Sequence, residues 1–108
     1  MKITINNNEH EFKFSFLAIA ELEKQTGKKL NEILTELTRI SETGLDFSMV
    51  LTIAYCGLKF TKNSKSLEEV GQLLDDGSRN DLESIIKGFM EGINKYLQVD
   101  PNLNSQAS

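Results

Sequence analysis

Tryptophan is absent from this chain, and cysteine, histidine and proline occur once each, as Cys56, His10 and Pro101. A single thiol forms no intramolecular disulfide, so an intracellular, reducing location is expected. One histidine and one cysteine give little material for a nucleophilic or metal-binding constellation, since such sites need several partners at defined spacing. Near-absence of proline suits long helices. No run of about 18 apolar residues occurs, so no membrane span is expected. Met1-Lys2 leads into an alternating segment rather than an apolar one, so no signal peptide is expected either.

What is present is ordinary for one globular domain: 108 residues, 39% hydrophobic and 26% charged. A chain of this size buries roughly 65% of its unfolded surface and needs no metal or disulfide to fold. The net charge of −4 argues against a generic nucleic-acid binder, which needs a surplus of Lys and Arg. Small basic clusters occur at Lys24, Lys28 and Lys29 and at Lys59, Lys62 and Lys65, and they read as solvated helix ends and loops. Residues 66–83 are acidic, with Arg79 their only basic residue.

Residues 2–6 and 9–15 alternate and predict a β-hairpin, with Asn7-Asn8 at the turn, Ile5 opposite His10 and Ile3 opposite Phe12. Five helices are predicted after it. The first runs over Phe16–Thr26, capped by Ser15 and closed by Gly27, with Phe16, Ile19, Ala20 and Leu22 inward. The second covers Leu30–Ser41, with Leu30, Ile33, Leu34, Leu37 and Ile40 at helical spacing. The third, Phe47–Phe60 with Asp46 as N-cap, is apolar almost all round, and so reads as a buried centre or half of an interface. Its Ala54 and Gly57 form a notch for another helix. The fourth starts at a capping box, Ser66 with Glu69, turns Leu67, Val70, Leu73 and Leu74 inward and ends at Gly77. The fifth spans Asp81–Leu97, capped by Asn80 or Ser78, and its Gly88 and Gly92 suggest close helix packing. Residues 98–108 are polar and aperiodic and are expected to form a flexible tail. The fold class is therefore mainly α (α+β): one domain over residues 1–97, a hairpin on a bundle of about five helices.

The search for chemistry returns no catalytic residue, metal site or cofactor site. Cys56 falls among apolar residues, where a core thiol is expected, and His10 falls at the hairpin edge. Asp75-Asp76-Gly77-Ser78-Arg79-Asn80-Asp81 superficially resembles a calcium loop, but its glycine comes too early and its oxygen ligands do not alternate. A helix end followed by the next helix's cap accounts for it. Ser84-Ile85-Ile86-Lys87 matches S-x-x-K without any companion motif. An enzyme is not expected; apolar surface for partners is.

The order of certain segments carries a resemblance. Ile3-Thr4-Ile5-Asn6 and Glu11-Phe12-Lys13-Phe14 come first, then Glu21-Leu22-Glu23-Lys24-Gln25-Thr26-Gly27-Lys28-Lys29-Leu30. Ala54-Tyr55-Cys56-Gly57-Leu58-Lys59 and Ser66-Leu67-Glu68-Glu69-Val70-Gly71-Gln72-Leu73-Leu74-Asp75 follow. Over about residues 2–97 the chain resembles the small tail-assembly chaperones of long-tailed bacteriophages and prophages, and their gene-transfer-agent counterparts. The resemblance implies a non-enzymatic protein of the bacterial host cytoplasm, absent from the mature virion. It also implies two partners, the tape-measure protein, which is kept soluble, and tail-tube subunits recruited around it; many such chaperones have a longer, frameshifted form. Self-association is a further expectation, and neither nucleic acid nor membrane is an expected partner. Tyr55, Leu58 and Phe60 are the candidate partner-binding residues, and Leu58→Asp is expected to abolish client binding in a folded monomer. The competing readings are a small structural or connector protein of the particle and a phage-encoded regulator, the latter requiring a basic recognition helix.

Overall fold

Three consecutive asparagines offer two possible turns, and the chain uses the first. In the computed structural model, which describes residues 1–97, Asn6 and Asn7 sit at φ 50° and 66°. A two-residue hairpin turn of this kind requires positive φ at both central positions, and asparagine tolerates it. Strands β1 (Lys2–Ile5) and β2 (Asn8–Glu11) pair antiparallel, with Ile3 opposite His10 and Ile5 opposite Asn8. The predicted register is thus displaced by two positions, and because the side-chain period is two the same residues still face inward. A long-range contact favours this turn: the Asn6 N–H donates to Asp81 Oδ2 at 2.9 Å.

The second strand stops at Glu11 rather than Ser15 because the chain there leaves the hairpin to cross a helix. The Lys13 N–H donates to the Gly57 carbonyl at 2.8 Å, and the rings of Phe12 and Phe14 lie over Gly57. The glycine notch therefore receives an extended segment, not a helix. Gly88 and Gly92 do the same: a side chain on Gly88 would meet Ile3 Cδ1 at 2.7 Å, and one on Gly92 would meet Phe14 Cβ at 3.1 Å. Phe14 also stands edge-on to Phe89, with ring centroids 5.4 Å apart.

Seven helices follow the hairpin among the described residues. Helix α1 (Phe16–Thr26) has the predicted bounds and caps, with Ser15 Oγ accepting from the Ala18 N–H and Gly27 at φ 70°. Its inner face is rotated from the prediction: Ala18 and Leu22 are buried, whereas Phe16 and Ala20 point outward. The predicted second helix is two, α2 (Leu30–Thr38) and α3 (Ile40–Thr43), separated at Arg39, and Gly44 follows at φ 86°. Helix α4 (Phe47–Lys59) buries seven residues and touches α1, α5 and α6, which makes it the buried centre. Helix α5 (Leu67–Asp75) opens on the predicted capping box, although Leu67, in its first turn, is exposed rather than inward. The predicted fifth helix begins two residues earlier, at α6 (Arg79–Gly92), capped by Ser78, and breaks at Ile93 before α7 (Asn94–Leu97). The expected tail at 98–108 lies outside the described residues.

The result is a mainly helical α+β domain with an N-terminal hairpin. One contiguous core joins Ile5 and Phe12 to Leu22, Ile33, Ile53, Val70 and Phe89, so every layer shares the same apolar interior. No helix among the described residues is long and apolar enough to cross a membrane.

Candidate functional site

The three residues singled out on the third predicted helix do not share a surface. Leu58 is 0% exposed and belongs to the core, so Leu58→Asp would strand a carboxylate there and unfold the domain rather than spare it. Tyr55 is half-buried and Phe60 exposed, and Lys59 links them, its Nζ lying 5.7 Å and 5.6 Å from their ring centroids. The same ammonium pairs with Glu21 Oε1 at 3.2 Å. Hydrogen bonds from Gln25 and Lys59 hold the Glu21 carboxyl below the usual carboxylate range. Tyr55 and Phe60 are thus partly covered by a long side chain already tied to α1.

The chemically capable groups are occupied or shielded. Burial, with Glu21 nearby, pushes the Cys56 thiol up to about 12, so it stays protonated at neutral pH and is a poor nucleophile. His10 sits opposite Ile3, not Ile5; its Nε2 is buried without a hydrogen-bond partner. Burial first, and Lys65 second, lower its affinity for a proton. In the calcium-like run, Asp81 Oδ2 accepts from the Ser78 N–H at 3.0 Å as well as from Asn6. These two backbone donors hold the Asp81 carboxyl below its ordinary range. That carboxylate closes a helix start and pins the hairpin turn. Among the described residues no three His, Cys, Asp or Glu side chains converge on a point that could hold a metal.

One open depression, of about 630 Å³, does adjoin Phe60 and is shared with Met1, Phe12 and Thr61, but Glu11, Lys13 and Lys62 line it too. A groove of about 370 Å³ runs between α4 and α5 towards the start of α6. Phe47, Val50 and Leu51 form one wall, Leu74 and Asp75 the other, and Leu82 closes one end. Gly71 supplies its depth: a side chain there would find nothing nearer than Leu51 Cδ1, at 3.8 Å. The groove is space left by a missing side chain, unlike the filled notches at Gly57, Gly88 and Gly92. Phe47, the first residue of α4, stands on its rim, 67% exposed, while Met49 and Val50 after it are buried. A further depression, at Leu37, Ile40 and Met49, mixes these with Glu36, Arg39 and Asp46 and is more charged than the groove. Phe16 and Leu17 are also exposed, at the start of α1.

Neither Phe47 nor Gly71 was singled out from the sequence. The available signal was Gly71 itself, since a glycine inside a helix costs about 1 kcal/mol relative to alanine and calls for a reason. Its position is mid-helix in α5, away from any cap. No protein family, curated protein or solved structure matches the chain.

Proposed function

We propose that this protein is a phage or prophage tail-assembly chaperone that binds the tape-measure protein, keeps it soluble and helps recruit tail-tube subunits around it. It acts on this reading in the cytoplasm of the infected or lysogenic host and is left out of the mature particle. The observation that carries the reading is the groove beside Phe47, whose ring is 67% exposed. A large aromatic held on the rim of an apolar furrow gains by being covered, at about 25 cal/mol per Å² of apolar surface removed from water. A tape-measure protein, with long apolar helical stripes before assembly, offers the matching surface, and helix-in-groove binding is the mode that fits. The groove is short, so each copy holds its client modestly and several copies act along one client, which lets the chaperone leave when the tube forms.

The regulator alternative is weakened by the same structure, because α4, the helix it would use for recognition, is buried along most of its length. A structural or connector role is separated by fractionation, since such a protein co-purifies with particles.

The test is a tagged pull-down from cells expressing the native gene cluster, read by mass spectrometry. Recovery of a very large, helix-rich protein together with a tail-tube protein is expected. Recovery of neither, with the chain running alone or on DNA, would overturn the proposal.

A further inference from the structure

We infer that the groove between α4 and α5 takes a partner's amphipathic helix whose apolar stripe is flanked by lysine or arginine. The identity of that partner as an assembly client rests on the chaperone reading; the chemistry of the segment rests on the groove.

Secondary structure decides the form of the occupant. The groove's walls come from α4, α5 and α6, whose interior backbone groups are already hydrogen-bonded within their helices. An extended peptide would find no sheet edge there and would leave its own backbone unpaired. A helix carries its backbone bonds internally and presents only side chains, so it can lie in the furrow at no such cost.

Charge decides the flanks. Asp75 lines the groove, and Glu68 lies on the same flank of α5, since positions 68, 71 and 75 share one side at helical spacing. No lysine or arginine lines the groove. The one basic side chain in residues 66–83, Arg79, pairs with Glu83 at 3.3 Å. An apolar stripe bordered by carboxylates would be repelled here, and one bordered by cations attracted. A second copy of a chain with net charge −4 fits this acidic rim poorly.

The experiment uses two synthetic helices of equal length with the same leucine stripe, one flanked by lysines and the other by glutamates. Their binding to the full chain is followed by fluorescence anisotropy. The lysine-flanked helix is expected to bind about tenfold tighter or more. Gly71→Leu, which fills the furrow, should weaken it about tenfold, and Asp75→Lys about fivefold. Glu9→Lys makes the same charge change on the exposed hairpin face and should leave binding within about twofold. Should Gly71→Leu fail to fold, Gly71→Ala, whose added carbon meets nothing closer than 3.8 Å, should fold and still weaken binding measurably. Equal binding of both helices would overturn the inference, as would full binding by folded Gly71 variants. So would a concentration-dependent dimer that Gly71→Leu abolishes, because the occupant would then be a second copy. The two proposals fail separately. If Gly71→Leu still recovers the tape-measure protein in the pull-down, the chaperone reading stands and the groove does not. If the helices behave as expected and the pull-down recovers no tail protein, the groove stands and the chaperone reading falls.

Discussion

At Gly57 an added methyl would begin 2.5 Å from Phe14 Cε1 and 2.8 Å from Phe12 Cδ2, inside two buried rings with no free direction to move. Overpacking of this kind costs about 1–3 kcal/mol, so Gly57→Ala should lower the urea midpoint by that equivalent without changing the slope. His10 makes a prediction of opposite origin. Its folded proton affinity lies below the ordinary value of 6.5, so the unfolded chain binds the proton more readily. Stability should therefore be full above about pH 6.5 and fall as pH drops through the lowered folded value; His10→Gln should flatten that limb in denaturation curves recorded from pH 8 to pH 5. Burial of the imidazole sets this sign, and Lys65 adds to it by repelling the protonated ring. Individual caps were legible in the sequence, as Ser15, Asp46, Ser66 and Gly27 show, because each acts within a few residues of itself. Leu58 was not, because on a helix apolar nearly all round the pattern does not say which side is out.

Among the elements, α5 is specified locally by its reciprocal capping box, as α6 is by Ser78 and Asp81. Ser66 Oγ accepts from the Glu69 N–H at 3.1 Å, and Glu69 Oε1 accepts from the Ser66 N–H at 2.9 Å. Ser66→Ala removes the first of these and should cost about 0.5–2 kcal/mol, read as a lower melting temperature. Because α5 forms one wall of the groove, the same variant should also weaken the lysine-flanked helix, which ties a cap to a binding surface. Helix α1 was fully readable in its bounds and wrongly phased in its face, since exposed Phe16 looks like core to any rule based on residue type. The break at Arg39 and the two-residue shift of the hairpin were illegible for a different reason. Asn7-Asn8 is as good a local turn as Asn6-Asn7, and the contact that distinguishes them, Asn6 to Asp81, spans 75 positions.

On the scale of the whole molecule, the order of elements was readable and their partners were not. Three glycines on two helices were expected to admit other helices and instead receive Ile3, Phe12 and Phe14. The hairpin and the segment that leaves it thus close the core together, β1 seated against α6 and residues 12–14 against α4. The groove was invisible for the complementary reason: it is made of space, and a sequence names only what fills it.

That seating has a consequence for how the molecule is made. Ile3 and Phe14 rest on Gly88, Phe89 and Gly92, which are translated more than about 70 positions after them. At about 5–20 residues per second, Ile3 and Phe14 wait roughly 4–16 seconds on the ribosome before the helix they need exists. During that interval a bare hairpin is too small to hold itself together. Until α6 is made the inner face of the hairpin has nothing to rest on, so closure of this core follows the synthesis of that helix and cannot precede it.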